Sequence, residues 1–306
     1  MPELPEVESV RRGLAEWTTG ALITAAEVID HRILGTTSAR RIDPGLAADF
    51  TDRIVGERIT GAERRGKFMW LTVGGESGLL VHLGMSGQMR VHPSHAEVHR
   101  HTRAVFRLER GEDSTAEAAG SNGPERYDLR FIDQRIFGHL SVQPLALAHG
   151  RLVPASAIHI APDPLEDAFD LEAVVDALAR KRTPLKAALL DQTVVSGIGN
   201  IYADEALFRA GVHPLAIASR TRRSRLVAVV ESAASVMGDA LAVGGTSFDA
   251  LYVNVNGESG YFDRALLAYG RAGQECVRCG TEIAKLTVGG RGSHFCPTCQ
   301  RMPRYR

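Results

Sequence analysis

The sequence lacks any run of about 20 apolar residues, the length that a membrane-spanning helix needs, although 44% of its 306 residues are hydrophobic. It also lacks the pattern of a secretory signal, a basic segment followed by an apolar stretch. Cysteine is scarce, at four residues, and internal repeats are absent. We therefore expect a soluble, cytoplasmic globular protein without a membrane partner, long enough for two domains.

Net charge is absent too, since 36 basic residues balance 36 acidic ones. Neutrality argues weakly against a polyanionic ligand, but the charges are segregated along the chain. Residues 179–225 carry a net charge of +6 and residues 271–306 one of +5, whereas residues 163–176 contain six acidic residues and no Lys or Arg. This segregation favours a one-sided phosphate-binding face, with an ordinary solvated surface as the alternative.

Residues 1–144 have the pattern of a helix followed by short strands. Val7, Val10, Leu14 and Trp17 recur at three- and four-residue spacing, which predicts a helix over residues 6–17. Short β-type runs follow at residues 21–29, 68–73, 79–83, 104–108 and 127–132, as expected of a β-sandwich. Residues 111–123 lack large apolar side chains and predict a flexible acidic hairpin insertion without chemistry.

The periodicity becomes helical after about residue 144. Helices are predicted over residues 171–178, 185–190, 201–210 and 226–243, after a proline-rich stretch at residues 154–164. We therefore predict an α+β protein in four segments: a β-sandwich domain at 1–144, a linker at 145–163, a helical domain at 164–270 and a small C-terminal segment at 271–306.

The C-terminal segment contains the strongest chemical pattern. Cys276-x-x-Cys279 and Cys296-x-x-Cys299 are the only cysteines, and 16 residues separate the two pairs. This spacing is typical of a four-thiolate zinc hairpin, while two disulfides or redox dithiols are the alternatives. With four protein ligands the metal would have no open position, so the sequence predicts one structural zinc ion.

Two glycine-rich segments are candidate phosphate sites. Gly289-Gly290-Arg291-Gly292 lies between the cysteine pairs, where Arg291 could bind two phosphate oxygens or be a solvated turn residue. Ser196-Gly197-Ile198-Gly199-Asn200 precedes a predicted helix, so its backbone N–H groups could bind a phosphate. Asn200 could donate to the same phosphate, cap the helix, or do both.

The N-terminus offers a nucleophile. Removal of Met1 would leave Pro2 with a free secondary amine, and an α-amino group has a pKa of about 7.7–8.0. Attack of this amine on an aldehyde-level carbon gives an iminium ion, and Glu3 could move the protons. The alternative is that Pro2 and Pro5 only stiffen an exposed terminus.

Several motifs together resemble the formamidopyrimidine-DNA glycosylase family. The N-terminal Met1–Glu8 string, the segment 195–203 around Asn200, and the cysteine hairpin at 271–300 are similar to motifs of that family. The segments 64–68, 82–87 and 133–138 resemble three of its loops, and the region from Gly244 to Tyr261 resembles a loop that closes over an extruded base. Members combine a β-sandwich carrying an N-terminal helix with a helix–two-turn–helix domain that ends in a zinc finger.

The resemblance implies a bifunctional enzyme of base-excision repair. Such an enzyme removes oxidised purines (8-oxoguanine and formamidopyrimidines) from duplex DNA and then cleaves the abasic strand by β,δ-elimination. Pro2 would attack the sugar C1′, and Glu3 would act as proton donor and acceptor. Lys67 and Arg291 would contact phosphates and donate protons in β- and δ-elimination, respectively, and Asn200 would bind a phosphate. The enzyme is expected to be a monomer whose partner is damaged double-stranded DNA.

The resemblance also implies a wedge that fills the hole left by a flipped nucleotide. Met85, Arg135 and Phe137 would occupy the duplex, with Arg135 satisfying the orphaned partner base. Without the resemblance, Met85 and Phe137 would be interpreted as core residues. Ile136 and His139-Leu140 depart from the family pattern beside this wedge, which leaves its packing open.

Two other functions remain possible from the sequence. An endonuclease VIII-like glycosylase would remove oxidised pyrimidines. Leu4, the Arg135–Phe137 wedge and the long loop at 244–261 that would close over the extruded base (the capping loop) favour the purine branch instead. A non-catalytic, zinc-containing binder of DNA lesions is disfavoured by the presence of Pro2 and Glu3.

Overall fold

The structure is a computed structural model that describes residues 2–36, 45–110, 126–244 and 265–303. The predicted insertion at 111–123 and residues 245–261 of the predicted capping loop lie outside these ranges. The described residues form two units: Pro2 with residues 6–159 in one, and Glu3–Pro5 with residues 160–244 and 265–303 in the other. The four-segment division at residues 144, 163 and 270 stays a prediction.

The first unit contains the predicted β-sandwich. Helix α1 (Leu4–Thr18), whose first two residues belong to the second unit, precedes the first strand, and α2 (Gly45–Asp52) follows that strand. One antiparallel sheet has the order β1-β6-β7-β5, and the other has the order β2-β3-β4-β8-β9. The strands are β1 (Leu22–Val28), β2 (Ile59–Arg65), β3 (Phe68–Val73), β4 (Ser77–His82), β5 (Gly87–Pro93), β6 (Thr102–Glu109), β7 (Arg126–Asp133), β8 (His139–Ala148) and β9 (Arg151–Pro154).

One apolar core lies between the two sheets. Val7, Val10 and Leu14 of α1 are buried in it, as their helical spacing predicted, together with alternating residues of both sheets. Trp17 lies at the edge of this core, where its ring meets Tyr127 edge to face at 5.9 Å. The N-terminal helix is therefore part of the sandwich domain rather than an appendage.

The second unit is helical and ends in a hairpin. Its helices are α3 (Leu171–Arg180), α4 (Leu185–Leu189), α5 (Asn200–Arg209) and α6 (Arg223–Ala242), within three residues of the predicted bounds. Strands β10 (Ala284–Val288) and β11 (Arg291–Phe295) pair antiparallel. No described helix, including the 20-residue α6, is long and apolar enough to cross a membrane.

Candidate active site

Glu3 is a buried carboxylate bound by the start of α5. It is only 3% exposed, and its two oxygens accept hydrogen bonds from the backbone N–H groups of Gly199 (2.7 Å), Ile201 (2.8 Å) and Tyr202 (3.3 Å). A helix N-terminus has unsatisfied N–H groups and a positive dipole end, so it stabilises a carboxylate there. The glycine-rich segment therefore binds a side chain of the protein itself, and Pro2, also buried, directly precedes that side chain.

Gly199 leaves the space that Glu3 needs. A Cβ atom at position 199 would lie 2.2 Å from Glu3 Cδ and 2.5 Å from its Oε1. Replacing Gly199 by alanine should therefore displace the carboxylate. Under the proton-transfer role that the family resemblance implies for Glu3, this change should lower the rate of base excision by about 10²-fold or more, the usual contribution of a positioned proton-transfer group. Single-turnover excision kinetics would measure the loss.

Gly238 provides the matched control. It lies within α6, and a Cβ atom there would have nothing within 4 Å. Gly238→Ala should leave excision unchanged and stabilise the helix by up to about 1 kcal/mol. Full activity in Gly199→Ala, at a melting temperature like that of the parent protein, would show that catalysis does not require the carboxylate to lie at the N-terminus of α5.

Asn200 begins α5 without capping it. The residue at the N-cap is Gly199, which makes no side-chain cap hydrogen bond, so the capping interpretation is wrong. The Asn200 amide instead donates to the carbonyl oxygen of Gly292 at 3.0 Å. Arg291 is exposed and follows a two-residue turn of Gly289 and Gly290, both with positive φ, so it lies at the tip of the β10–β11 hairpin.

A buried ion pair supports the same hairpin, and the sequence patterns did not reveal it. Lys186 Nζ lies 2.7 Å from Asp204 Oδ1 and donates to Gly292 O at 2.9 Å, with both side chains fully buried. Asp204 also accepts from Ser293 Oγ at 2.7 Å and from the His294 backbone at 2.8 Å. Burial lowers the pKa of Lys186, and the adjacent Asp204 carboxylate opposes that shift.

The four cysteines form a single cluster at the base of the hairpin. Their Sγ atoms all lie within 4.8 Å of one another, and the Cys279–Cys296 and Cys276–Cys299 separations are 3.5 Å and 4.0 Å. Tetrahedral zinc with Zn–S bonds of about 2.3 Å places its sulfurs about 3.8 Å apart. The cluster is therefore a metal-binding site whose donors and spacing fit zinc.

Lys67 lies in the tight turn between β2 and β3 and is 7% exposed. The turn is fixed by Arg64, which donates to Gly66 O at 3.0 Å and to Glu8 of α1 at 2.9 Å. Although burial opposes ionisation of Glu8, hydrogen bonds from Arg11 and Arg64 lower its pKa to about 2. The charged carboxylate of Glu8 therefore helps to position the Lys67 turn.

The predicted wedge residues lie together on the surface of the first unit. Phe137 is 40% exposed and Met85 is 37% exposed, so the core interpretation of these residues is wrong. The Arg135 guanidinium lies 5.1 Å above the Phe137 ring, and its Nη2 donates to Met85 O at 3.2 Å. An exposed cluster of two apolar side chains and an arginine is suited to contacts with a base and its neighbours.

Asp133 organises the turn that presents this wedge. Its buried carboxylate accepts from the backbone N–H groups of Arg135 (3.2 Å), Ile136 (3.1 Å) and Gly138 (2.7 Å). Ile136 has φ of 55°, an unfavourable conformation for a β-branched residue, and it packs against the sandwich core. The departure at Ile136 therefore places an apolar anchor beneath the wedge.

The candidate residues thus fall into two described groups. The second unit brings together Glu3, Asn200, Arg291 and the cysteine cluster, and the first unit brings together Met85, Arg135 and Phe137. Pro2 and Lys67 also belong to the first unit.

Three family models match the chain. The formamidopyrimidine-DNA glycosylase N-terminal domain matches residues 1–140, its H2TH domain matches residues 160–251, and a zinc finger found in FPG and IleRS matches residues 273–301. Together these matches follow the order β-sandwich, helices and hairpin seen in the fold.

Proteins similar to this chain over its whole length include two bacterial formamidopyrimidine-DNA glycosylases. That of Rhodococcus opacus is 50% identical over 305 residues, covering 99% of this chain and 98% of its own. That of Thermobifida fusca is 51% identical over 306 residues, covering 100% and 99%.

Similar solved structures include Lactococcus lactis Fpg bound to DNA with an abasic site, at 29% identity and a TM-score of 0.79, covering 98% of this chain and 100% of that one. The same protein has been crystallised, as a mutant, with Fapy-dG-containing DNA (TM-score 0.80) and, as wild type, with DNA containing an oxidised pyrimidine (TM-score 0.79).

Proposed function

Since the chain belongs to the formamidopyrimidine-DNA glycosylase family, we propose that Pro2 and Glu3 carry out its base-excision chemistry on oxidised purines in duplex DNA. The protein is a DNA repair glycosylase with abasic-site lyase activity. Its substrates are 8-oxoguanine and formamidopyrimidines, and its DNA partner is double-stranded.

The observation that supports this proposal best is the binding of the Glu3 carboxylate at the N-terminus of α5. A buried carboxylate with three backbone donors is fixed in place, and it directly follows the residue whose amine would attack. Fixed geometry matters because catalysis by proton transfer depends on the position of the donor and acceptor. In a non-catalytic DNA binder the same carboxylate would serve only to satisfy the N–H groups at the start of α5.

The chemistry follows from a secondary amine. With Met1 removed, the Pro2 nitrogen forms a bond to C1′ as the C1′–N bond to the damaged base breaks, and the base leaves with a proton. Loss of the ring oxygen from C1′ gives the iminium ion, with Glu3 moving the protons. The cation then acidifies the C2′ hydrogen, so the 3′ phosphate leaves by β-elimination and the 5′ phosphate by δ-elimination. Lys67 and Arg291 supply protons in these two steps.

DNA binding is divided between phosphate contacts and a wedge. Lys67, Asn200 and Arg291 bind backbone phosphates around the lesion, and Arg291 is suited to this by its position at the hairpin tip. Met85 and Phe137 fill the space of the flipped nucleotide and offset the cost of unstacking, a few kcal/mol. Arg135 binds the orphaned base on the opposite strand.

One zinc ion per chain is the metal of the cysteine cluster. Cys276, Cys279, Cys296 and Cys299 would hold it as thiolates, and it would organise the β10–β11 hairpin without touching the substrate. The enzyme acts as a monomer in the cytoplasm.

An excision assay on duplexes carrying 8-oxoguanine opposite each of the four bases tests the purine assignment. We expect rapid excision opposite cytosine and slower excision from a duplex with an oxidised pyrimidine. A reversed substrate order would favour the endonuclease VIII-like alternative. Binding without any excision or borohydride-trapped adduct would favour the non-catalytic binder.

Arg135 should determine the preference for the opposing base. Arg135→Ala is expected to flatten the preference for cytosine, because one good contact with a base edge gives about 1–3 kcal/mol of discrimination. Its effect on the salt dependence of binding should be small. Excision rates and affinities for 8-oxoguanine opposite C, A, G and T at several salt concentrations would measure both.

Lys67→Ala is the comparison variant for phosphate binding. It should weaken binding to damaged and undamaged duplexes alike and reduce the salt slope by about one unit, the signature of a lost phosphate contact. If Arg135→Ala instead reduced the salt slope and kept the opposing-base ranking, Arg135 would be a phosphate ligand and the wedge assignment would be wrong.

A further inference from the structure

A concave basic pocket lies in the second unit, beyond the C-terminal end of α5. It has a volume of about 630 Å³, and four arginines line it: Arg220, Arg222, Arg225 and Arg301. All four are exposed, and among the described residues no Asp or Glu lines the pocket. These four arginines belong to the two basic stretches of the sequence, and the catalytic assignment uses none of the four.

The fold brings these arginines together from distant parts of the chain. Arg220 and Arg222 precede α6, and Arg225 lies in its first turn, whereas Arg301 follows the last cysteine of the hairpin. Arg225 Nη1 donates to the carbonyl oxygens of Ala210 (3.1 Å) and Gly211 (3.2 Å), which fixes its guanidinium at the pocket wall. The first turn of α6 has no acidic residue, so its positive dipole end adds to the same field.

The pocket and the Glu3 carboxylate lie at opposite ends of helix α5. Glu3 is bound at the N-terminus of α5, while Gly211 and Val212, which line the pocket, follow its C-terminus. Ten helical residues span about 14 Å. A lesion-bearing strand that reaches Glu3 therefore approaches the end of α5 that is remote from the pocket.

The lining combines arginine with apolar surface. Val212, Met302 and Pro303 line the pocket beside the guanidinium groups, and Met302 is 51% exposed. A guanidinium group can bind a carboxylate through two parallel hydrogen bonds, and the adjacent apolar lining can accept a hydrophobic side chain. A phosphodiester backbone would contact the arginines but leave the apolar lining residues without a partner.

We propose that this pocket is a docking site for a segment of a partner protein that is rich in carboxylates and carries a large apolar side chain. The pocket lies at the end of α5 opposite to Glu3, and Cys299 of the cysteine cluster contributes to its lining, so the partner would bind beside the metal site while Glu3 remains available to DNA. The proposal does not depend on the identity of the excised base.

The test uses the full-length, metal-loaded protein and a short fluorescein-labelled peptide that alternates glutamate pairs with leucine. Fluorescence polarisation should show saturable binding that weakens with added salt. A peptide with glutamine for glutamate, and one with serine for leucine, should each bind at least about tenfold more weakly. Absence of saturable binding to the acidic peptide would overturn the proposal.

Variants then locate the site. The double variant Arg222→Ser, Arg301→Ser should weaken peptide binding at least about tenfold, and excision of 8-oxoguanine should be unchanged. The matched control is Arg223→Ser, because Arg223 pairs with Glu172 and Asp176 of α3 and does not line the pocket. Equal peptide affinity in the parent protein and the double variant would overturn the assignment.

Two further measurements separate other roles for these arginines. If the double variant bound undamaged duplex more weakly with a reduced salt slope, the pocket would be a second DNA contact and the protein partner would be rejected. If it lost its metal, the arginines would serve to balance the charge of the cysteine cluster, and the docking proposal would be overturned. We expect unchanged duplex affinity and unchanged metal content.

Discussion

Protein that retains Met1 is expected to be inactive in both base excision and strand cleavage. With Met1 attached, the Pro2 nitrogen is part of a peptide bond, so it cannot attack C1′ or form an iminium ion. Base loss, strand cleavage and the borohydride-trapped adduct should all fall below detection. Affinity for a duplex with a tetrahydrofuran abasic analogue should change much less, because phosphate and wedge contacts remain. Gel assays of excision and trapping on the same preparation would measure the difference.

The matched control is the same preparation after treatment with a methionine aminopeptidase. Removal of Met1 should restore both activities and place the trapped DNA on residue 2. Pro2→Gly, which replaces the secondary amine by a primary one, should trap far less adduct. Glu3→Gln should lose base excision while retaining more of the strand cleavage at a preformed abasic site. Full glycosylase activity with Met1 intact would exclude Pro2 as the nucleophile.

Loss of the metal should abolish DNA binding by disordering the β10–β11 hairpin. The small apolar cluster there consists of Phe208, Ala268, Ile283 and two of the cysteines, too little to order the segment without the metal. Zinc bound by cysteines in small fingers contributes about 10–16 kcal/mol, which is also folding free energy. Cys296→Ser, or treatment with a strong chelator, should therefore release Arg291 from its position. Metal analysis, duplex affinity and hydrogen exchange of the hairpin would follow this loss.

Thr298→Ser is the comparison variant, since it lies in the same turn and can keep the hydroxyl contact that Thr298 makes with Thr281 at 2.9 Å. It should retain one equivalent of zinc and normal affinity. Chelated protein should recover binding when zinc is added back. Normal DNA affinity in metal-free protein would show that the hairpin holds its shape by other means.

The elements that the sequence predicted well are those with local patterns. The helix at the N-terminus and those of the second unit follow apolar periodicity, and the cysteine cluster follows from ligand spacing alone. Periodicity predicted an α+β protein with a β-sandwich domain, and the family resemblance added the helix–two-turn–helix domain and its zinc finger. The fold confirms this class. The resemblance also indicated the exposed positions of Met85 and Phe137, which hydrophobicity alone would have placed in the core.

The elements that were missed depend on partners far away in the chain. Strand β2 has the sequence Ile-Thr-Gly-Ala-Glu-Arg-Arg, and its charged residues break the apolar alternation by which a strand is predicted. Arg64 is nevertheless buried there because Glu8, 56 residues away, pairs with it. The Lys186–Asp204 pair is similar, since it meets a hairpin about 90 residues beyond Asp204. Tertiary pairing of this kind leaves no local signature.

The same pair bears on how freely the hairpin could be exchanged between relatives. Side chains of α4 and α5 bind the hairpin just after its tip. Gly292 O accepts hydrogen bonds from both Lys186 and Asn200, and Asp204 accepts from Ser293 and His294. A transplanted finger would therefore bring its metal site intact, but it would also have to place backbone groups at positions 292 and 294 and a hydroxyl at position 293 over this pair. Each hydrogen bond lost to the buried pair would cost about 1–3 kcal/mol, so the backbone path of the hairpin, and not only its four cysteines, limits which fingers could be exchanged.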